Sequence, residues 1–413
     1  MIRWVSGSNQ QTTAHDKMAN VIPSRYIVAF LCSSILFSVG CAPKPFQSDG
    51  DESAEVVGPM YPAAASVRSI EYLHTQVFPT GTTFKESEIG GISAIVYDSE
   101  TERYHLLSDD RSVNGPARFF TATIDHGELQ KGGDSIQFTD VTTLKRAEGK
   151  PFPKHSVDPE GMVFLEDGDF YISSEGDAKR SIAPFVNRFS PEGTQIDQLP
   201  LDQKYHPQKQ SGIRNNLAFE SLTLTPDHNT LVTGTENGLI QDGPAADLET
   251  PTYARIIFYD LPSAKVSAEY GYRVEPVPLA PIIAGQLRTN GLVELLAVDN
   301  DGTFLALERA FSVGRGNSVK LFEISSSQAQ DIQHIKSLAD QVGKLLIPEE
   351  ALVSKTELLD FGRDLNIVPD NLEAMCWGPL FADGSRLLVL VSDNNFNVHQ
   401  ETQFIFLKVL LQP

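Results

Sequence analysis

Short apolar runs separated by turn residues dominate the chain beyond residue 65. The runs have the length of β-strands, and Asx-Gly pairs such as Asp167-Gly168 and Asp301-Gly302 stand between them. Strand-length runs joined by Asx-Gly turns are typical of β-hairpins. The pattern therefore predicts an all-β domain over residues 66–413.

A short motif recurs along this domain: a Glu, then a Gly, Ser or Ala, then hydrophobic residues. Its copies are centred on residues 93, 160, 220, 294 and 373, and Ser93 replaces Glu in the first copy. Each copy is followed by a turn and by a strand-like run that ends in a polar cluster. Unevenly spaced copies of one unit fit propeller blades with variable loops. We therefore predict a β-propeller with five four-stranded repeats, and six blades remain an alternative.

Further strand-like runs complete each repeat. Third strands are predicted at residues 118–124, 187–189, 255–260, 319–324 and 403–409, and fourth strands at 135–141, 195–199, 268–274 and 357–361. The last repeat lacks a fourth strand, whereas residues 67–78 are strand-like and precede the first repeat. Pairing this N-terminal strand with the last repeat would close the ring and remove an exposed sheet edge. One helix is predicted, at residues 326–344.

The N-terminal region has the pattern of an export signal. Residues 26–40 form an uncharged apolar run that follows Lys17 and Arg25 and is followed directly by Cys41. The run is shorter than the roughly 20 residues of a membrane span, so residues 1–41 are predicted to be a signal peptide, with Met18 as a possible true start. Lipidation at Cys41, ordinary cleavage and a retained anchor remain open. Residues 42–65 are predicted to be a disordered tether.

The net charge and the cysteine content limit the partners and the covalent links that we expect for this protein. The formal net charge is −21, which disfavours binding of nucleic acid or anionic lipid by bulk electrostatics. Of the three cysteines, Cys32 and Cys41 lie in the predicted signal, so Cys376 is left without a disulfide partner. We expect an exported monomer, anchored only through its N-terminal lipid or free in the periplasm or outside the cell. A small anionic ester is the predicted substrate.

Several strings resemble a known family. GGISAIVYD (90–98), LLSDDRS (106–112) and DPEGMVF (158–164) are similar to the signature strings of the phytase-type, esterase-like propeller family. NLAFESL (216–222), NLEAM (371–375) and VSDNNF (391–396) extend the resemblance along nearly all of the predicted domain. The chain departs from the family at Ala94, Ser221 and Ala374, where glycine is commoner, but small residues are kept. The resemblance implies a propeller with esterase-like or phytase-like activity.

The recurring acidic residues are the main candidates for chemistry. At the start of each innermost strand they would face the central channel, where like charges repel and are costly to desolvate. A divalent cation would resolve this conflict, and calcium suits carboxylate oxygens. The candidate ligands are Glu160, Glu220, Glu294, Glu373, Asp109, Glu175, Glu236 and Asp393. The alternative is that each Glu accepts backbone N–H bonds from the neighbouring blade and serves as a structural latch.

Arginines and one histidine accompany the acidic motifs. Arg111, Arg118, Arg214, Arg309 and Arg315 are candidates for binding phosphate oxygens in a bidentate manner, or for neutralising the carboxylates. His155 precedes the DPEGM string and is a candidate for proton transfer. The catalytic carboxylate candidates are Glu160, Glu220 and Glu373.

These features predict a metal-assisted hydrolase of phosphate esters. Two alternatives remain: a non-catalytic propeller that binds a ligand or partner, and a calcium-dependent lactonase or carboxylester hydrolase. A G-x-S-x-G elbow is absent from the sequence, so a serine mechanism of the α/β-hydrolase type has no support.

Overall fold

The structure, a computed structural model, describes residues 65–413. The predicted signal peptide with Cys41, and all of the predicted tether except Ala65, lie outside the described residues. The described part contains the helices α1 (His126–Leu129) and α2 (Phe361–Asp364). It also contains four 3-10 helices: Ala178–Arg180, Gln203–Tyr205, Ile240–Asp242 and Glu349–Ala351. None of the helices in residues 65–413 is long and apolar enough to cross a membrane.

The described strands form five four-stranded antiparallel sheets and one short hairpin. The chain begins with β1 (Ser66–Pro79) and the hairpin of β2 (Thr83–Phe84) and β3 (Ser87–Glu88). Blade one contains β4 (Ile92–Asp98), β5 (Arg103–Ser108), β6 (Arg118–Ile124) and β7 (Ile136–Thr143). Blade two contains β8 (Pro159–Phe164), β9 (Phe170–Ser174), β10 (Phe185–Phe189) and β11 (Gln195–Gln198).

Three further blades follow in chain order. Blade three contains β12 (Phe219–Leu224), β13 (Thr230–Thr235), β14 (Thr252–Asp260) and β15 (Lys265–Val274). Blade four contains β16 (Arg288–Ala297), β17 (Thr303–Ser312), β18 (Gly316–Ser325) and β19 (Ser354–Asp360). Blade five contains β20 (Leu372–Leu380), β21 (Arg386–Ser392) and β22 (Glu401–Gln412), with β1 as its outer strand. The predicted propeller is confirmed, with five blades in the described range.

The blades are arranged in a closed ring. The innermost strands β4, β8, β12, β16 and β20 each contact the next one, and β20 returns to β4. Strand β1 pairs antiparallel with β22, from Ser66 opposite Gln412 to Pro79 opposite Glu401. The predicted closure by the N-terminal strand is therefore confirmed, and it covers the outer edge of β22.

The hydrophobic core lies between the blades rather than in one centre. Each of five apolar clusters joins residues of two neighbouring blades. Between blades one and two, for example, Leu107 and Phe119 pack with Met162 and Phe170. Cys376 is buried as a free thiol in the cluster between blades five and one. Because apolar side chains fill the interfaces between blades, polar side chains can converge near the axis.

The predicted helix at residues 326–344 is wrong. This segment contains turns but no helix, and it packs on the outer part of blade three. Ile332 and Leu338 are buried there, and their amides donate to Glu269 O and Asp242 Oδ1 at 2.8 Å each. Blade three thus satisfies backbone groups that a helix would bond internally.

Candidate functional site

Each inner strand carries a β-bulge near its start. The ladder between the inner and second strands shifts register there in every blade. The residues at the shifts are Ser93, Glu160, Glu220, Val293 and Glu373, in blade order. A bulge re-aims the side chain that it carries. Glu160, Glu220 and Glu373 line a cavity of about 1240 Å³, the axial cavity, to which all five blades contribute.

A second acidic position completes the arrangement in four blades. The second strand ends directly before Asp109, Glu175, Glu236 or Asp393. The amides of these residues donate to the carbonyl oxygens of Gly91, Asp158, Ala218 and Asn371, at distances of 2.7, 3.1, 2.5 and 2.9 Å. Each acceptor stands two residues before the bulge. The backbone thus places one carboxyl group of the second strand beside the bulge of the inner strand in the same blade.

Blade four keeps this register but changes the side chains. Gly291 pairs with Arg309 in its ladder, and the bulged residue is Val293. Arg309 therefore occupies the position that an acidic residue has in the other blades. Val293 is 1% exposed and belongs to the apolar cluster between blades four and five. Blade four contributes a guanidinium group where the others contribute carboxylates.

Glu294 does not join the other predicted metal ligands. It stands one residue after the bulge, where the other blades have Ala94, Gly161, Ser221 and Ala374, and it is not among the residues that line the axial cavity. Its carboxylate accepts from the amide of Leu295 at 2.9 Å and from the amides of Leu222 and Met375 in the two neighbouring blades. Burial nevertheless raises its pKa well above the usual value. Glu294 thus has the contacts of the structural latch that the sequence left as an alternative.

Eight carboxyl groups converge at the axis. They are Asp109, Asp158, Glu160, Glu175, Glu220, Glu236, Glu373 and Asp393. Burial, followed by repulsion between neighbouring carboxylates, raises the pKa of Asp109, Asp158, Glu160, Glu220 and Asp393 well above the usual values. Burial also raises the pKa of Glu175 and Glu236 to about 7. Near neutral pH the group must therefore take up protons or bind cations.

Two predicted arginines contact this group. Arg309 Nη2 donates to Glu373 Oε1 at 2.5 Å and lies 3.9 Å from Glu236 Oε1. Arg111 Nε donates to Asp158 Oδ1 at 2.6 Å, and its Nη2 donates to Asn216 Oδ1 at 2.6 Å. The side chain of Arg309 is 12% exposed and that of Arg111 is 28% exposed. Arg111 also lies 3.9 Å from Glu175 Oε2, so these two guanidinium groups reach four of the eight carboxylates.

Two sets of three carboxylates have a geometry that could hold a metal ion. Asp158, Glu160 and Glu175 form one set and Glu175, Glu220 and Glu236 form the other, with one oxygen per residue within 4.8 Å of the others in its set. Glu175 belongs to both sets. A separate observation supports a ligand here, because Glu236 Oε1 is buried without a hydrogen-bond partner. Hard oxygen donors in an irregular arrangement fit a calcium-like cation.

Three predicted arginines lie outside the axial cavity. Arg118 donates to Asp110 Oδ2 at 2.9 Å and to Glu88 O at 3.0 Å. Arg214 donates to the carbonyl oxygens of Gly238 and Gly243. Arg315 is exposed at the tip of the β17–β18 hairpin. The first two brace loops, so proximity to an acidic motif in the sequence did not predict contact with the carboxylates.

His155 also lies outside the cavity lining. Its amide donates to Arg111 O at 2.7 Å, so it supports the backbone of Arg111. The site also contains residues that were not predicted, among them Asp158, Asn216 and Phe396. All three stand in the quoted strings DPEGMVF, NLAFESL and VSDNNF, so their position in these strings was the available signal.

A ring of four-stranded blades around a carboxylate-lined cavity defines a β-propeller protein with an axial candidate site. The sequence model of the phytase-like family, described as "esterase-like activity of phytase", matches residues 87–396. The chain belongs to this family.

Other known proteins are similar at a lower level. An uncharacterized secreted protein of Arthroderma benhamiae is 26% identical over an alignment of 191 positions that covers 39% of this chain and 35% of the fungal protein. The match thus spans about a third of that relative. Regucalcin, a calcium-binding protein from Agrobacterium tumefaciens, is 9% identical with a TM-score of 0.34, over 82% of this chain and 95% of that one. An exo-1,5-α-L-arabinanase from a bovine ruminal metagenomic library is 10% identical with a TM-score of 0.37, over 77% and 92%.

Proposed function

We propose that this protein is an exported hydrolase that cleaves phosphate esters in the axial cavity with the help of bound divalent cations. The observation that carries the proposal is the convergence of eight carboxyl groups, seven of them buried, and two guanidinium groups at one cavity. Membership of a family described by an esterase-like activity supports the reaction class.

The two carboxylate sets are the proposed cation sites, and Glu175 would be shared between them. Calcium is the proposed ion because the donors are carboxylate oxygens of several blades without a common geometry. A bound cation would supply a Lewis acid for phosphoryl oxygens and would offset the repulsion among the carboxylates.

Arg309 and Arg111 are the proposed anion-binding residues. Arg309 Nε is buried without a hydrogen-bond partner, so a donor remains after the contacts with Glu373 and Glu236. Arg111 is the more exposed of the two, and Asp158 and Asn216 hold its side chain in place. A planar guanidinium held in one orientation favours bidentate contacts with phosphate oxygens. In the proposed reaction the oxygen of water bonds to phosphorus, the bond to the alcohol oxygen breaks, and the alcohol leaves with a proton.

Export remains part of the proposal. The uncharged apolar run of residues 26–40 before Cys41 supports it. If Cys41 is acylated, replacing it with Ala should release the protein from the membrane fraction of the producing cell. If the protein with Cys41→Ala stays with the membranes, acylation is not the anchor.

The decisive test is hydrolysis by the purified mature protein. An aryl phosphate, phytate, an aryl acetate and a lactone would each be assayed with calcium and with chelator. We expect calcium-dependent release of phosphate, and we expect Glu160→Gln to abolish it without loss of melting temperature. Turnover of only the acetate or the lactone would favour the carboxylester alternative, and no turnover of any compound would remove the proposal.

A further inference from the structure

The inner hairpin of blade four extends beyond the position of the carboxylates. Its extension carries apolar side chains, Leu287 and Phe311, which we call the apolar wall. Strand β17 continues past Arg309 to Ser312, whereas the other second strands end before the equivalent acidic residue. Strand β16 correspondingly begins at Arg288, opposite Ser312. Phe311 on this extension and Leu287 just before it both line the axial cavity. The blade that lacks the carboxylates therefore presents apolar surface to the same cavity.

The segment before β16 carries further exposed apolar side chains. Residues 276–287 (PVPLAPIIAGQL) carry no charge in a chain whose net charge is −21. Four of their side chains are exposed: Leu279 at 46%, Ile282 at 63%, Ile283 at 62% and Leu287 at 66%. A run of exposed aliphatic side chains on one segment indicates a contact surface.

Backbone contacts hold this segment on the extended hairpin. The amide of Ile282 donates to Val313 O at 3.1 Å, and the amide of Val313 donates to Leu287 O at 3.1 Å. Ser312 Oγ donates to Leu279 O at 2.5 Å. The backbone of the segment is therefore fixed on the extended hairpin, and Leu287 is the member of the four that lines the axial cavity.

Blade five, which adjoins blade four, also contributes apolar side chains to the cavity. Val368 lines the cavity and is 88% exposed. Phe396 lines the cavity with φ at 51°, a left-handed conformation that is unusual for a bulky residue, and its ring lies against Gly91 and 5.8 Å from the Arg118 guanidinium. The reacting end of a ligand would thus meet charged groups, while the rest would meet Leu287, Phe311, Val368 and Phe396.

Charge argues against a highly charged ligand. Arg111, Arg309 and two divalent cations would together carry six positive charges, against eight negative charges on the fully ionised carboxylates. Arg288 also lines the cavity, but it is paired with Asp247. A polyphosphorylated substrate would bring many further negative charges into this site. A single phosphoryl group with an apolar remainder avoids that repulsion and gains from burial against the wall.

We propose that the substrates are amphiphilic phosphate monoesters, in which one phosphoryl group reaches the carboxylates and an alkyl or aryl group lies against the apolar wall of blade four. This inference rests on the proposed function and names its substrate class. Each methylene group that becomes buried should raise kcat/KM by about three- to fourfold, because burial is worth about 0.8 kcal/mol per methylene.

The test compares methyl, butyl and octyl phosphate with phytate, using calcium-loaded mature protein. We expect kcat/KM to rise along the alkyl series and to exceed that for phytate. Leu287→Gln and Val368→Gln should each lower kcat/KM for octyl phosphate by about five- to tenfold and leave that for methyl phosphate unchanged. The matched control is Leu380→Gln, a leucine 55% exposed at the far end of inner strand β20, which should change neither value.

Binding of non-hydrolysable phosphonates separates this inference from the proposed function. By calorimetry, octylphosphonate should bind more tightly than methylphosphonate, and Leu287→Gln should remove most of the difference. Equal kcat/KM along the alkyl series, a preference for phytate, or equal affinity for the two phosphonates would overturn the inference even if phosphate esters are hydrolysed. If no ester is hydrolysed, the proposed function fails, and the phosphonate comparison still decides whether the wall binds alkyl groups.

Discussion

Blades two and four share one strand register but carry opposite chemistry. In blade two the bulge and the end of the second strand carry Glu160 and Glu175, and the same positions in blade four carry Val293 and Arg309. Blade two supplies carboxylates to both sets of three, whereas blade four supplies the guanidinium group of Arg309 and the apolar side chains of Leu287 and Phe311. The comparison shows that the shared strand register determines which positions reach the axis. The residue types at those positions differ from blade to blade.

The largest loss of stability is expected from Arg309→Gln in blade four. Glu236 and Glu373 would lose the buried guanidinium that lies beside both, so the free energy of unfolding in the absence of cations should fall by about 3–5 kcal/mol. Denaturant titration in chelator measures this change. Arg315→Gln, which alters an exposed arginine of the same blade, is the control and should have little effect. Equal stability of the two variants would mean that the carboxylates do not depend on Arg309.

Glu175→Gln tests the role of blade two in cation binding. Because Glu175 belongs to both carboxylate sets, affinity for calcium should fall by about a hundredfold or more, as measured by calorimetry. Stability in chelator should be unchanged or higher, since burial disfavours the ionised side chain.

The matched control for Glu175 is Glu308, which is equally buried but fully partnered. It accepts from Tyr272 Oη at 2.8 Å and Asn290 Nδ2 at 3.0 Å, and it pairs with Lys355. Glu308→Gln should lower the free energy of unfolding by about 1–3 kcal/mol and leave calcium affinity unchanged. A similar loss of affinity in both variants would refute a specific role for Glu175.

The pH dependence of stability follows from the raised pKa of Glu175 and Glu236, which is about 7 for both groups. A carboxyl group whose pKa is higher in the folded than in the unfolded state binds more protons when folded. Its contribution to stability is therefore complete below its unfolded pKa and is lost as pH rises towards 7 and beyond. In chelator the melting temperature should fall between pH 5 and about pH 8, and saturating calcium should reduce the fall. A melting temperature that rises over this range in chelator would contradict the account.

The smallest effect is expected from Glu294→Gln. The amide oxygen can still accept backbone hydrogen bonds, so the free energy of unfolding should fall by only about 1–2 kcal/mol. Calcium affinity should not change, because Glu294 lies outside both carboxylate sets. If affinity falls as far as in Glu175→Gln, the placement of Glu294 outside the site is contradicted.

Local sequence patterns predicted most of the fold. Strand-length apolar runs with Asx-Gly turns predicted the hairpins, and β6 was predicted at its observed bounds, Arg118–Ile124. The missing strand of the last repeat predicted the pairing of β1 with β22. The prediction of a helix at residues 326–344 failed because hydrogen bonds to Glu269 and Asp242, which are distant in sequence, replace the internal hydrogen bonds of a helix.

The site was predicted less completely, because register decides which side chain reaches the axis. A shift of one residue in a strand moves a side chain to the other face. The sequence Leu292-Val293-Glu294 contains the Glu of the motif one position too late, and only the ladder with β17 shows that Val293 is bulged. The sequence alone could not show which arginines contact the axial carboxylates. Arg118 and Arg214 instead donate to backbone carbonyl oxygens of loops.

The most direct test of the central claim is a crystal structure of the mature protein at saturating calcium. We expect electron density between Asp158, Glu160, Glu175, Glu220 and Glu236, with carboxylate oxygens at about 2.3–2.6 Å. If the same carboxylates are joined only by hydrogen bonds, with no cation among them, the metal-assisted hydrolase is contradicted.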